Sequence, residues 1–163
     1  MNDVSNGNGG HGGVKPPEEW SALQAEFHRA GMRLTRQRLA IYRELKGRFD
    51  HPDVEHLYQS VKLRIPQISR FTVYRTMNAL ENAGMAWRVA TFKGHARYDG
   101  HVETHAHFLC ETCGRIVDIE VGDLSDLCQK VAGDAGTVRR VDLMFHGEDP
   151  ICRAARREEA REA

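Results

Sequence analysis

The chain has 163 residues, of which 40% are hydrophobic and 28% are charged. This composition is typical of a water-soluble globular protein with room for one ordinary domain or two small ones. No stretch approaches the roughly 20 apolar residues that a membrane span needs. No apolar segment follows a basic start, as it does in a secretory signal. The sequence therefore predicts a cytoplasmic protein with no membrane partner.

The charges are distributed unevenly along the chain although the formal net charge is zero. Residues 1–100 contain 15 Lys and Arg against 10 Asp and Glu, whereas residues 101–163 contain 8 against 13. A basic half of this kind favours a polyanionic partner such as DNA, and the acidic half indicates a different role.

The first half of the chain predicts four helices and a hairpin after an Asn- and Gly-rich, disordered tail at 1–17. The helices are predicted from Glu18 to near Gly31, from Arg36 to Arg48 after an N-cap at Thr35, from Val54 after an N-cap at Asp53, and to about Asn82 after an N-cap at Ser69. Two strands, Met85–Phe92 and Ala96–Asp99, follow around Lys93 and Gly94. Short helices before a β-hairpin predict a winged-helix DNA-binding domain.

The helix before the hairpin is the candidate for reading DNA in the major groove. Arginine bonds guanine with two hydrogen bonds, and hydroxyl groups hold phosphates. By residue type alone, an ordinary amphipathic helix is the favoured interpretation; the hairpin and the nearby positive charge reverse that preference. The predicted DNA-contacting residues are Arg33, Arg36, Arg70, Thr72, Tyr74 and Arg75.

The second half predicts a small α+β unit of a kind that often dimerises. Two short strands, His107–Cys110 and Arg115–Ile119, flank a Cys-x-x-Cys-Gly turn, and a helix (Asp123–Ala132) and a strand (Val138–Phe145) follow. A charged segment from Arg153 predicts a frayed helix. The fold class is therefore α+β, with a tail at 1–17, a winged helix at 18–99, a metal-binding dimerisation domain at 100–152 and a charged tail at 153–163.

Potential metal ligands are concentrated where the two predicted domains meet. His105 and His107 lie two residues apart on a strand and so share one face. Cys110 and Cys113 form half of a zinc knuckle. Taken singly, His51, Asp99 and Asp118 have ordinary structural explanations, and no spacing rule joins them to the histidines.

Three segments together resemble the ferric uptake regulator (Fur) family, and within it most of all the peroxide-sensing (PerR-like) subgroup. They are Arg33–Arg38, Ser69–Arg75 and Tyr98–Asp118, in family order, within a similarity that covers about residues 18–152. The resemblance implies a homodimeric repressor that binds a pseudo-palindromic, double-stranded DNA operator. It implies neither catalytic turnover nor a small organic substrate.

The resemblance also implies a regulatory site for Fe²⁺ or Mn²⁺. Its ligands would be His51, Asp99, His105, His107 and Asp118. Both carboxylates are Asp, as is usual in peroxide sensors, whereas iron sensors usually have Glu. In peroxide sensors an iron-derived oxidant adds oxygen to a ligand imidazole, here that of His51 or His105. The alternative is an iron- or zinc-responsive uptake regulator of the same family. A further family site is predicted to be absent, because Thr104 and Ala106 replace its ligands.

The structural zinc of the family usually has four cysteines in two pairs, and this chain departs from that pattern. By the resemblance, Cys152 matches the third cysteine and Ala155 stands at the fourth position. Cys128 lies on the apolar stripe of its helix and is predicted to be a core thiol. Two alternatives follow. Either Zn²⁺ is held by Cys110, Cys113 and Cys152 with an outside ligand such as His146, or the zinc is absent.

Two other classes of function compete with a metal-responsive regulator. An iron oxygenase or zinc hydrolase would use His105, His107 and a carboxylate, but no motif supplies its general base or explains the basic half. A DNA-binding scaffold with a purely structural metal would bind DNA equally well after Asp99→Ala.

Overall fold

The computed structural model describes residues 18–138 and 140–162, so the predicted tail at 1–17 lies outside the described residues. The chain divides into two compact units, Met1–Leu34 and Thr35–Ala163. The described part of the first unit contains helix α1 (Glu18–Arg29), which is followed by Gly31 at a φ of 67°. None of the described helices is both long and apolar enough to cross a membrane.

Three helices open the second unit and pack against one another through buried apolar stripes. They are α2 (Arg36–Lys46), α3 (Val54–Arg64) and α4 (Arg70–Asn82). The N-caps predicted at Thr35, Asp53 and Ser69 are confirmed, since each side chain accepts a backbone hydrogen bond from three residues further on. Helix α2 ends two residues before the predicted Arg48, because the N–H of Gly47 closes the last turn on Arg43.

A β-hairpin follows the helices, as predicted. Strands β1 (Trp87–Phe92) and β2 (His95–Asp99) pair antiparallel. Lys93 and Gly94 join them at φ values of 48° and 82°, the left-handed conformation that a tight two-residue turn requires. The helices and this wing give the winged-helix arrangement, which confirms the predicted α+β class.

A second, three-stranded sheet has the order β4-β3-β5. Strand β3 (Ala106–Cys110) pairs antiparallel with β4 (Ile116–Ile119) and parallel with β5 (Leu143–Gly147). The predicted strand from Val138 to Phe145 is wrong in its bounds. Pairing with β3 begins only at Leu143, opposite Ala106, and continues to Gly147, opposite Cys110.

Helices α5 (Ser125–Ala135) and α6 (Pro150–Glu162) correct two further predictions. Cys128 is half-exposed rather than a core thiol, because none of the described side chains of α5 is buried.

Helix α6 begins at Pro150, three residues before the predicted frayed segment, and therefore crosses the boundary proposed at 152/153. The sequence signal was Asp149-Pro150, an N-cap followed by proline at the first helical position. The domain limits themselves stay a prediction.

Candidate metal centre

The structure brings together the five residues that the sequence could not assemble by spacing. They are His51, Asp99, His105, His107 and Asp118. Each offers one nitrogen or oxygen atom, and these atoms all lie within 4.8 Å of one another. The loop before α3 and the end of β2 supply the first two. His107 lies on β3, Asp118 lies on β4, and His105 directly precedes β3.

Strand register explains part of this arrangement. His107 on β3 lies directly opposite Asp118 on β4, so the two side chains share one face of the sheet. His105 precedes β3 by one residue, and alternation along the chain places it on the same side. The wing adds Asp99 as the last residue of β2.

The donor atoms converge on one small volume. Nε2 of His105 lies 2.9 Å from Oδ2 of Asp99 and 3.0 Å from Nε2 of His107. Nε2 of His51 lies 2.8 Å from Oδ1 of Asp118. The side chains of His51, Asp99 and His107 are buried, whereas that of Asp118 is 28% exposed, so water reaches the cluster only from one side.

Unsatisfied polar atoms in this cluster test whether a cation fits. Both ring nitrogens of His51 and Oδ1 of Asp118 are buried and have no hydrogen-bond partner among the described residues. The 2.8 Å approach of His51 to Asp118 lacks hydrogen-bond geometry. Buried polar groups in proteins are nearly always paired. A divalent cation between Nε2 of His51 and Oδ1 of Asp118 would satisfy both, and three imidazoles with two carboxylates are a donor set that suits Fe²⁺ or Mn²⁺.

The protonation states favour metal binding as well. Burial lowers the pKa of His51 despite the opposing charges of Asp118 and Asp99, so its imidazole is neutral at pH 7. Burial works against ionisation of Asp99, but hydrogen bonds from His107 and from the backbone of His101, together with the nearby imidazoles, lower its pKa to about 2. Neutral imidazole and ionised carboxylate are the forms that coordinate metals.

Sequence reasoning missed the residues that orient these side chains. Nδ1 of His105 lies 2.8 Å from the carbonyl oxygen of Glu103, a contact that leaves Nε2 free to coordinate. The backbone N–H of His101 donates to Oδ1 of Asp99 at 2.8 Å, and its ring stacks on Phe49 with centroids 4.6 Å apart. The only sequence signal for the hydrogen bond from His101 to Asp99 is the two-residue spacing between them.

Arg97 was also missed. It donates hydrogen bonds to the carbonyl oxygens of His51, of Asp50 at 2.5 Å and of Gly114 at 3.0 Å. His51 has a φ of 50°, a left-handed conformation that costs a non-glycine residue about 1–3 kcal/mol unless its surroundings hold it. Arg97 thus fixes the strained ligand loop and joins it to the cysteine turn. No local pattern marks this arginine, because its partners are distant in sequence.

A second cluster contains Cys110, Cys113, Asp149 and Cys152, whose ligand atoms also lie within 4.8 Å of one another. Hydrogen bonds from the backbone of Asp149 and from the cysteine turn lower the pKa of Cys110 to about 7, whereas contact with Cys113 raises that of Cys152 to about 12. One thiol of the cluster therefore ionises well before another.

The cluster differs from the ligand set suggested by the sequence, which offered His146 as an outside ligand because Ala155 stands at the family's fourth cysteine position. His146 is 54% exposed and lies 3.6 Å from Glu111 instead of joining the thiols. Asp149 joins the thiols instead, and it precedes Cys152 by three residues, the same spacing as Cys110 and Cys113.

The predicted DNA-contacting residues occupy different environments. Arg75 and Tyr74 are exposed on α4, and Arg36 is exposed on α2, whereas Arg33 belongs to the first unit. Arg70 is not free, because its guanidinium binds Glu55 at 2.7 and 3.0 Å and lowers the pKa of that carboxyl to about 2. The hydroxyl of Thr72 lies 2.9 Å from that of Ser69 within the N-cap.

Comparison with known proteins decides the family. A sequence profile of the ferric uptake regulator family matches residues 29–145. The chain belongs to the ferric uptake regulator family. Fur-family proteins are metal-responsive transcription regulators, and this membership disfavours the enzyme interpretation.

Among similar curated proteins is the peroxide-responsive repressor PerR of Staphylococcus epidermidis, 30% identical over 122 residues that cover 73% of this chain and 81% of the relative. Ferric uptake regulation protein 1 of Mycolicibacterium fortuitum is 37% identical over 110 residues, covering 66% of each chain. Among solved structures, a zinc-bound manganese uptake regulator has a TM-score of 0.57 at 32% identity, covering 78% of this chain and 98% of its own.

The structure of the Campylobacter jejuni peroxide stress regulator is also similar to this Fur-family chain. It has a TM-score of 0.63 at 26% identity and covers 82% of this chain and 97% of its own. These relatives differ in the signal that their names state, so they establish the family and leave the signal open.

Proposed function

We propose that this Fur-family protein is a cytoplasmic, metal-dependent transcription repressor that binds a pseudo-palindromic DNA operator as a homodimer. The observation that carries the proposal is the convergence of five donor atoms from two parts of the fold. His51 and Asp99 belong to the winged helix, and His105, His107 and Asp118 belong to the second sheet and its approach. Fe²⁺ or Mn²⁺ at this site would bind both parts at once.

Metal binding across the two parts would set the position of the winged helices. In a two-fold dimer, the spacing between two reading helices must match the spacing of the operator half-sites. A cation that holds each winged helix against its sheet therefore favours one spacing. Because binding couplings are reciprocal, metal should tighten DNA binding and DNA should tighten metal binding by the same factor.

The proposed DNA surface is the exposed side of α4 with the adjacent basic residues. Tyr74 and Arg75 are available there in the present structure. Arg70 would have to exchange Glu55 for a phosphate or a base, and such an exchange is feasible because the ion pair is solvent-exposed. Thr72 would contribute while remaining in its N-cap, since a hydroxyl both donates and accepts hydrogen bonds.

Exposed apolar side chains on the second sheet support the homodimer. Phe145 on β5 and Val117 on β4 both pair with Phe108 on β3, so the three form one row across a face of the sheet. Phe145 is 52% exposed and Val117 is also exposed, as is Ile119. A second copy of this face would cover the row, which is how a two-fold interface uses one self-complementary patch.

Peroxide is the signal that we propose, through the ligand histidines. Bound Fe²⁺ would supply the redox chemistry with peroxide that Mn²⁺ does not. The net change falls on His51 or His105: one ring C–H gains an oxygen atom from H₂O₂, and water is released. Support comes from the two aspartates of the site and from the relatives named as peroxide-responsive repressors. The alternative is an iron- or zinc-responsive regulator, and the likeness to ferric uptake regulation protein 1 of Mycolicibacterium fortuitum supports its iron-responsive form.

Selection from random duplex DNA in the presence of Mn²⁺ tests the regulatory function. We expect enrichment of an inverted repeat whose binding disappears when a chelator removes the metal and returns when Mn²⁺ is restored. Failure to enrich any sequence, or binding that ignores the chelator, would contradict the proposal.

Arg97→Gln should weaken Mn²⁺ binding by about 10- to 100-fold, the range expected when groups that orient metal ligands are lost. The variant loses the fork of hydrogen bonds that holds the carbonyl of His51 and its left-handed conformation. Isothermal titration with Mn²⁺ measures the effect. Arg88→Gln is the matched control, since Arg88 lies in the same hairpin but pairs with Glu81 at 3.1 Å. Equal Mn²⁺ affinity in both variants would show that Arg97 does not position the site.

A further inference from the structure

Three thiols and one carboxylate meet at the junction of β3, β4 and α6. Cys110 ends β3, Cys113 lies in the turn towards β4, and Asp149 and Cys152 lie at the start of α6. Cys110 and Asp149 are buried. A buried carboxylate among thiols is unusual in a protein core and calls for a compensating charge.

We propose that Asp149 is the fourth ligand of a tetrahedral zinc site with Cys110, Cys113 and Cys152. An Asp-x-x-Cys segment then replaces the second cysteine pair usual in this family, and the site is complete without His146 or a residue at position 155. The proposal does not depend on the regulatory function proposed above, because none of these four residues belongs to the five-residue cluster.

The distances fit a tetrahedral zinc ion. Zn–S bonds of about 2.3 Å and Zn–O bonds of about 2.0 Å at tetrahedral angles place a sulfur and an oxygen ligand about 3.5 Å apart. Sγ of Cys113 and Oδ2 of Asp149 lie 3.4 Å apart. All four ligand atoms lie within 4.8 Å of one another, so a small shift of the remaining thiols would complete the shell.

The local backbone directs the carboxylate into the cluster. Oδ1 of Asp149 accepts the N–H of Cys152 at 2.8 Å and so caps α6, which leaves Oδ2 directed at Cys113. The backbone N–H of Asp149 points to Sγ of Cys110 at 3.4 Å, a contact that stabilises a thiolate. One residue therefore begins the helix and offers an oxygen ligand.

The zinc would have a definite structural task. None of the described side chains of α6 is buried, so this helix has little apolar packing to hold its first turn in place. Ligands from the cysteine turn and from α6 would join the two through metal bonds. His146 does not perform this task, because it pairs with Leu109 in the sheet while Cys110 pairs with Gly147, which places His146 and Cys110 on opposite faces.

Zinc titration of full-length variants tests the assignment. All variants carry Asp99→Ala, so that zinc at the regulatory cluster is weakened and the two sites are read separately. We expect Asp149→Asn to lower zinc affinity by about 100-fold or more in competition with a chromogenic chelator, because asparagine still caps the helix but offers only a weak neutral ligand. Asp149→Cys should retain zinc although it loses the carboxylate cap.

The absorption spectrum of the Co²⁺-bound protein reports on the metal ligands and does not change when only the helix cap changes. Absorption from thiolate-to-Co²⁺ charge transfer should rise by about a third in Asp149→Cys, because thiolate ligands increase from three to four. His146→Ala and Ala155→Cys are the matched controls and should leave zinc affinity and the cobalt spectrum unchanged. Zinc affinity that falls in His146→Ala and stays constant in Asp149→Asn would overturn the assignment. So would a wild-type protein that binds no zinc after the thiols are reduced.

Discussion

Asp99→Ala should abolish metal-dependent DNA binding while leaving the fold intact. Asp99 is buried at the end of the wing, and its Oδ2 lies 2.9 Å from Nε2 of His105 and 3.3 Å from Nε2 of His107. Removing it deletes one ligand and one of the two negative charges beside the imidazoles. We expect Mn²⁺ affinity to fall by at least about 100-fold, since the loss of a residue that only orients a ligand already weakens metal binding by about 10- to 100-fold. Fluorescence anisotropy with the selected duplex measures the consequence for DNA.

Glu103→Ala is the matched control for this prediction. Glu103 is an exposed carboxylate in the same connection between the wing and β3, and it contacts His105 only through its backbone carbonyl. Its variant should bind Mn²⁺ and DNA like the wild type. If Asp99→Ala binds DNA as tightly as Glu103→Ala at saturating Mn²⁺, the metal is structural and the protein is a DNA-binding scaffold.

Phe145→Asp should convert the homodimer into monomers and remove operator binding with it. Phe145 is the most exposed member of the apolar row on the second sheet. A two-fold interface would bury both copies of the new carboxylate without partners, and one uncompensated buried charge costs about 3–5 kcal/mol. The dimer dissociation constant should therefore rise by more than about 100-fold. Analytical ultracentrifugation measures it directly.

The control for the dimer prediction uses an exposed leucine in the winged helix. Leu63 on α3 is 86% exposed, and Leu63→Asp changes surface charge as Phe145→Asp does without touching the second sheet. It should leave the dimer intact. Dissociation in Leu63→Asp, or persistence of the dimer in Phe145→Asp, would place the subunit interface elsewhere.

Local sequence signals predicted the winged-helix part well because its structure follows from local chemistry. Thr35, Asp53 and Ser69 cap their helices through hydrogen bonds to residues three positions away. The hairpin at Lys93 and Gly94 likewise depends on two adjacent residues in the left-handed conformation.

The second sheet was predicted less well because its register depends on distant partners. Strand β5 pairs parallel with β3, more than thirty residues away, and only that pairing fixes its start at Leu143. The apolar stripe of α5 was interpreted as core, yet Leu127 and Val131 are exposed in the single chain. Periodicity identifies the apolar face of a helix and does not identify what covers it.

The ligands of the two metal clusters divide in the same way, into those that local spacing predicted and those that it did not. His105, His107, Cys110 and Cys113 were found from spacing on a strand and in a turn. His51, Asp99 and Asp118 were joined to them only through resemblance to the family, and the structure brings all three into the cluster. Asp149 escaped both approaches. Its Asp-Pro cap signal is ordinary, and a search for a missing cysteine does not consider a carboxylate. Arg97 has partners 46, 47 and 17 residues away and no local signature.

The most direct test of the central proposal compares duplex binding by the Fe²⁺-loaded and Mn²⁺-loaded protein before and after a small anaerobic dose of H₂O₂. Mass spectrometry of the peptides that contain His51 and His105 accompanies it. We predict that only the iron form releases DNA and that one oxygen atom is added to either histidine. Binding that requires metal but withstands peroxide in both forms, with unmodified histidines, would contradict peroxide sensing and indicate an iron- or zinc-responsive regulator.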